Sequence, residues 1–310
     1  EKFRLIWSDG GLSSLKESIL TPIRLLESGP AGGALAVSSL SRSSSNTSCI
    51  AFDMGGTTAK ICLLKDLKPG KATEFEFGRV HQNKPGSGIK VKVPSIHMLE
   101  IGAGGGSIAE VDELGLLKIG PESAGSDPGP ICYGQGGKNV TITDVNLLLG
   151  YLSTDKLLAG HLELNYLRTS EIVDSTARKH NYSTDEFLTG IRKVVNENMS
   201  QAIKLHVTEL GEDHRQSILY AFGGAGPLHA YDICKKLQIS SFIVPNLAGI
   251  LSAYGFLTSH ISIEKNFSYI SLLDTISLIE LNSFIDQCKR QTYNSLDNHS
   301  RDISLLEFSS

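Results

Sequence analysis

An α/β or α+β fold is what this sequence predicts, and three observations predict it. Short apolar runs of strand length end in glycine-rich turns, at residues 49–52 and again at 216–222. Longer stretches with helix-start signals stand between and after those runs. No internal repeat of solenoid type interrupts the mixture.

The elements follow in order. Residues 3–7 are apolar enough for a buried strand, and Ser8-Asp9-Gly10-Gly11 reads as a turn. Residues 13–20 read as a short helix stopped by Pro22, and 23–26 as extended chain. Ser28-Gly29-Pro30 opens a helix to about Leu40, with Pro30 suited to the first helical position. Residues 42–48 form a polar loop. The strand at 49–52 runs into Asp53-Met54-Gly55-Gly56-Thr57-Thr58, and 59–64 is a second strand, so the pair reads as a β-hairpin. Residues 74–80 and 90–93 alternate like strands, and 108–119 form a hairpin around Glu113-Leu114-Gly115. Residues 120–137, with three prolines and six glycines, read as a long functional loop. From Asp144 the character is helical, and a capping box of Ser183 with Glu186 opens a helix to about Leu210. A buried strand at 216–222 empties into Gly223-Gly224-Ala225-Gly226, followed by a helix at 227–237, a short strand at 241–244 and a helix at 249–258. The last fifty residues read as helical and polar.

Bulk composition narrows the function. Of 310 residues, 40% are hydrophobic and 20% charged, an ordinary globular balance. A formal charge of −4 without a Lys/Arg cluster gives no footprint for nucleic acid. No apolar run reaches the length of a membrane span, and no signal peptide is visible. Five cysteines, with no C-x-x-C pair, argue against a disulfide framework or thiolate zinc site and favour a reducing, cytoplasmic setting. The histidines show no i, i+4 ligand spacing, and no G-x-S-x-G elbow supports serine-hydrolase chemistry. The opening at Glu1 directly into a strand suggests a trimmed start or a piece of something longer.

Three glycine clusters carry the chemistry. In the first, Gly55 and Gly56 let backbone N–H groups approach an anion, and the Thr57 and Thr58 hydroxyls can add bonds to phosphate oxygens. Asp53, at the strand end, is placed to hold Mg²⁺ through its water shell. The competing reading is a plain hairpin turn with an Asx cap. The loop is not a Walker motif. The second cluster, Gly223, Gly224, Ala225 and Gly226, opens a helix whose N-terminus attracts anions; an ordinary strand-to-helix turn is the alternative. The third is Gly102-Ala103-Gly104-Gly105-Gly106, either a flexible tip or a point of close approach to a ligand. Asp127 and Asp144 are further carboxylate candidates, with Asp144 most simply a helix cap.

Taken together, the motifs ESGPAGG at 27–33, FDMGGTTAK at 52–60, EIGAGGGSIA at 100–109, GPESAGSDPGPICYG at 120–134, TDVN at 143–146, FGGAGPLHA at 222–230 and GILSA at 249–253 resemble the hydantoinase A/oxoprolinase family. They occur in family order. The resemblance implies an actin-like, sugar-kinase-like ATPase lobe with a ribonuclease H-like mixed sheet. It implies ATP and Mg²⁺ as cofactors, and opening of a cyclic amide such as 5-oxoproline or a hydantoin, or carboxylation of a ketone in related subunits. Family members carry an earlier D-x-G-G-T loop that this chain lacks, so residues 1–265 resemble the central hydantoinase A domain and 266–310 the start of a C-terminal region. The implied partners are the missing N-terminal lobe and a hydantoinase B-type subunit; an inactive remnant acting as an interaction module is the contrasting expectation. By carry-over, Asp53 is the catalytic and metal residue. Gly55, Gly56, Thr57 and Thr58 would face phosphates, Lys60 would either neutralise phosphate charge or stand exposed to solvent, Gly223–Gly226 would face the adenosine, and Asp127 and Asp144 the cleft.

Overall fold

The computed structural model describes residues 3–42, 47–77, 88–155, 160, 162–263, 265 and 267–295. The expected strand residues 78–80 and most of the 42–48 loop lie outside these.

β1 (Arg4–Ile6) and β2 (Leu12–Ser14) form an antiparallel hairpin that leads into α1 (Leu15–Leu20). Ser14 and Glu17 cap α1 reciprocally. The extended segment expected next is instead a 3-10 turn, Pro22–Leu25. Pro22 supplies a helical φ and needs no acceptor, and the Arg24 N–H bonds the Thr21 carbonyl at 3.1 Å. The Arg24 guanidinium then lies 3.9 Å over the Trp7 ring and pairs with Asp9 at 3.0 Å, which holds the turn against the hairpin.

α2 (Ser28–Ser41) precedes the central sheet. That sheet begins with the hairpin β3 (Ser48–Met54) and β4 (Ala59–Lys65), extended by β5 (Lys68–Pro69). An excursion follows: β6 (Lys71–Ala72), β7 (Phe75–Phe77), β8 (Ile89–Val91) and β9 (Ser95–Ile96), in which β6 pairs with β9 and β7 with β8. β10 (Leu99–Ile101) rejoins the sheet against β4. A second hairpin, β11 (Ser107–Val111) with β12 (Leu117–Ser123), absorbs the first residues of the expected 120–137 loop into a strand.

Then come α3 (Ile142–Leu148), α4 (Tyr166–Lys179) and α5 (Thr184–Glu209), the last opened by the Ser183–Glu186 box. β13 (Ile218–Phe222), α6 (Gly226–Leu237) and β14 (Phe242–Ile243) complete the sheet. α7 (Leu251–Thr258) and α8 (Leu278–Ser295) follow. Among the described residues of the last fifty, α8 meets the helical expectation, while those between 259 and 277 form no α-helix, only a 3-10 turn at Leu273–Thr275; residues 296–310 lie outside the described residues.

The strand order is β10-β4-β3-β13-β14, antiparallel through the hairpins and parallel from β3 to β13 to β14. Alternation sends successive side chains of β3 to opposite faces. Ile50, Phe52 and Met54 enter a core with α5 and α6, including Ile191, Val195 and Ile233. Cys49 and Ala51 enter a second core with Ala34 and Val37 of α2 and Leu251 of α7. Asp53 continues this second row, so its carboxylate emerges on the α2/α7 side. α2 and α7 touch at glycines: a Cβ on Gly255 would lie 1.7 Å from the Gly32 carbonyl oxygen.

Candidate active site

The β3–β4 turn is held by its own backbone and by a neighbour. Gly55 N–H donates to the Thr58 carbonyl at 3.1 Å. The Gly105 and Gly106 N–H groups donate to the carbonyls of Gly55 and Gly56, at 2.9 and 2.6 Å. The 102–106 cluster is thus a buried brace, not a flexible tip. Only glycine fits there: a Cβ on Gly104 would meet the Gly56 oxygen at 2.6 Å. With the carbonyls of Gly55 and Gly56 engaged from behind, the N–H groups of Gly56, Thr57 and Thr58 have no acceptor among the described residues, nor do the two threonine hydroxyls. Gly56 and Thr57 are exposed. Unpaired donors on one tight turn are the arrangement that receives an anion.

The second loop arrives through the parallel β3–β13 pairing, which sets Phe222 beside Asp53. Gly223 takes φ +80°, and a Cβ there would collide with the Met54 oxygen at 2.4 Å and with Asp53 Oδ1 at 2.5 Å. Ala225 N–H bonds the Met54 carbonyl at 2.9 Å. α6 starts here with no side-chain cap, so the positive end of its dipole lies at the end of β3. Gly224 is exposed, with open space around it.

Asp53 is half-buried between these loops. Burial pushes its carboxyl above the ordinary range, opposed by the charge of Lys60 and a 3.5 Å bond from Ser252 on α7. Lys60 is its cross-strand partner in register. The Lys60 ammonium is not solvent-exposed: it bonds Glu27 and lies 3.6 Å from Glu100, with its side chain 15% accessible. Glu27 adopts φ +61° at the start of α2, a conformation uncommon outside glycine. Glu27, Glu100 and Ser252 were not singled out from sequence. Each reaches the site from a different element, and no local spacing connects them.

Asp144 stands elsewhere in the architecture. It is the third residue of α3, while Thr141 is the cap. Its carboxylate is fully buried and accepts from the Thr141 N–H at 2.9 Å, the Thr141 hydroxyl at 2.8 Å, the Cys132 N–H at 2.8 Å and the Ile131 N–H at 3.3 Å. With every contact structural, it holds the 131–133 turn to α3. Its neighbour Thr143 makes the link to the site, donating N–H and hydroxyl to the Gly105 carbonyl at 2.7 and 2.8 Å. Asp127 is exposed, in a turn closed by Gly129 N–H to the Ala124 carbonyl at 3.2 Å. Ala124 in turn bonds the Gly106 carbonyl at 2.8 Å. The Asp127 carboxylate has no hydrogen-bond or ion-pair partner among the described residues.

A mixed sheet of this α/β protein carries two glycine-rich turns at adjoining strand ends, one beside a carboxylate and one opening a helix, an arrangement suited to receiving an anion. The chain belongs to the Hydantoinase/oxoprolinase family, matching it over residues 1–265. It is 40% identical over 289 residues to the uncharacterized protein MJ0964 of Methanocaldococcus jannaschii, covering 92% of this chain and 42% of that one. To caprolactamase subunit alpha of Pseudomonas jessenii it is 32% identical over 296 residues, covering 94% and 41%. The chain therefore spans about two-fifths of these relatives. The crystal structure of the ATP-dependent caprolactamase from Pseudomonas jessenii superposes with TM-score 0.76 at 28% identity, over 98% of this chain and 43% of that one. Nucleotide-free acetone carboxylase superposes with TM-score 0.71 at 26% identity, over 82% and 34%. The fold is the actin-like ATPase fold of this family.

Proposed function

We propose that this chain supplies one half of an ATP·Mg²⁺ site in an enzyme that opens a cyclic amide. One observation carries the reading: the Asp53–Thr58 turn offers unpaired N–H groups and hydroxyls beside a half-buried carboxylate and an uncapped helix start. These residues fit the nucleotide. Gly56, Thr57 and Thr58 would take phosphate oxygens, Asp53 would hold Mg²⁺, and Gly224 with its neighbours Gly223, Ala225 and Gly226 would lie along the nucleoside side. Bound there, ATP would supply the phosphoryl group that activates the amide carbonyl, so that water can add to its carbon and displace the ring nitrogen. The residues' own work is positioning and charge placement. Lys60, anchored by Glu27 and Glu100, sets the field at Asp53 more than it binds phosphate, because its ammonium is already paired. Asp144 acts as a positioning residue behind the brace, and Asp127 faces outward at its rim.

The opposite wall of the clamp would come from the N-terminal lobe that the family resemblance implies, and the ring product from work shared with a hydantoinase B-type partner. A cytoplasmic setting accords with the free thiols; among the described residues no helix is long and apolar enough to cross a membrane. The likeness to acetone carboxylase supports a second reading, ATP-dependent carboxylation of a ketone. Assayed together with an N-terminal lobe, Asp53→Asn is expected to lower ATP turnover by at least ~100-fold, in line with removal of a charge-stabilising group. Turnover of the variant equal to wild type would remove Asp53 from the mechanism. ADP release driven by ketone plus bicarbonate, and not by lactams or hydantoins, would select the carboxylase.

A further inference from the structure

Beside Thr58 and Lys60 the structure opens a cavity of about 460 Å³, within the size range of small-molecule sites. Neither Asp53 nor the 223–226 loop lines it. It lies between the Lys60 side of the hairpin and the β6–β10 excursion, and Gly102 and Thr58 join it to the phosphate turn.

Its walls have a definite chemistry. Phe75, Ile96, Met98 and Leu99 give apolar surface for a ring. Among the described residues, Glu27, Glu74, Glu76 and Glu100 face it against Lys60, Lys90 and the imidazole of His97, so carboxylates outnumber ammonium groups. The Lys60 ammonium is already claimed by Glu27 and Glu100, and Lys90 is exposed on β8. Within the wall sits Ser95, 2% accessible, whose hydroxyl has no hydrogen-bond partner among the described residues. A buried hydroxyl without a partner is costly, and it both donates and accepts. An amide presents a carbonyl acceptor and an N–H donor, so one such group satisfies it.

We propose that this cavity receives the ring amide and selects an uncharged ring over one that carries a carboxylate. A ring carboxylate would meet the excess of glutamates while the Lys60 ammonium beside the phosphate turn is already paired, and in a partly enclosed site that repulsion is screened less than in open water. The assignment of the ring as the reacting group rests on the cyclic-amide reading above; the charge preference rests on the cavity alone.

The test compares 2-pyrrolidinone with 5-oxoproline, which share one five-membered ring and differ by the carboxylate. Each is titrated into the full chain without nucleotide and followed by NMR. The neutral ring is expected to bind at least ~10-fold more tightly, and the gap to narrow in ~1 M salt and in Glu74→Gln/Glu100→Gln. Ser95→Ala, with an unchanged circular dichroism spectrum, is expected to weaken 2-pyrrolidinone several-fold. Equal or tighter binding of 5-oxoproline overturns the proposal, as does failure of either ring to bind, a gap indifferent to salt and to the glutamates, or unchanged affinity in Ser95→Ala. Loss of the ATP reading shows separately: absent turnover with the ring preference intact leaves this assignment standing, and a reversed preference with turnover intact removes it alone.

Discussion

Asp53 shows how a functional carboxylate is held in tension with stability. Its neighbours on the same row of β3, Cys49 and Ala51, are core residues. Alternation therefore delivers the carboxylate to a poorly solvated position, and burial raises its pKa despite the opposing charge of Lys60 and the bond from Ser252. A carboxyl whose folded pKa is raised above its unfolded value stabilises the fold at low pH. That contribution is fully present below the ordinary carboxyl value and is lost as pH rises through the folded value. Asp53→Asn is therefore expected to keep or raise the melting temperature at pH 7, by up to about 2 °C, while turnover collapses. A melting temperature lowered by several degrees would show that the charged form contributes to the fold. The cysteines give the contrasting case. Burial pushes the Cys62 and Cys234 thiols up to about 12 and raises Cys49 and Cys132 as well, so these act as small apolar residues and not as nucleophiles.

At the scale of elements, glycine decides how closely parts approach. α2 and α7 meet where Gly32 and Gly255 leave no room for a side chain, and this contact places Ser252 over Asp53. Gly255→Ala is expected to cost about 3 kcal/mol by chemical denaturation, because the added methyl meets backbone and not a movable side chain. Gly29→Ala, near the start of the same α2, meets nothing within 4 Å and is the matched control, expected to leave stability unchanged or slightly raised. Equal stability for the two variants would deny the close contact its role. The glycine motif at 28–33 was legible from sequence as a helix start, and the fold adds its close packing against α7. The 102–106 cluster was legible only as two alternatives. Its actual task, bracing the Gly55 and Gly56 carbonyls, needs strand pairing between residues about fifty apart, which no local pattern encodes.

Across the whole molecule, buried neutral histidines couple the fold to pH. His229, in the first turns of α6, donates from Nδ1 to Asn196 at 2.7 Å and accepts at Nε2 from Asn146 at 3.2 Å. Arg192 binds Asn146 at 2.6 Å and the Leu228 carbonyl at 2.7 Å, and Asp232 closes the network. The network ties α3, α5 and α6 together behind the second glycine turn. Burial and then the Arg192 charge push the His229 imidazole down to about 3, and burial and then His97 push His206 down to about 4, from 6.5. Groups with depressed folded pKa values contribute stability that is fully present above 6.5 and is lost as pH falls toward 4 and 3. The melting temperature is expected to be level above pH 7 and to fall below 6.5. His206→Phe, which removes a buried nitrogen without a partner, is expected to make that fall shallower. An unchanged acid slope in the variant would exclude His206 as a contributor.

What the sequence determined by itself is local. Apolar runs of strand length, the Asp53–Thr58 hairpin, the glycine turn into α6, the Ser183 capping box and the order of the family motifs all depend on spacings of a few residues, and spacing is written in the chain. What only the tertiary structure decided is which groups converge. The 3-10 turn at Pro22–Leu25 depends on Arg24 reaching Trp7 and Asp9. The holding of Lys60 by Glu27 and Glu100, the seat of Ser252 over Asp53 and the cavity around Ser95 depend on register across β3, β4, β10 and β13, and the inward commitment of Asp144 on the 131–133 turn folding back onto α3. Register is set by a collective burial pattern, and a residue's role in a site is fixed by neighbours that the chain brings back only on folding.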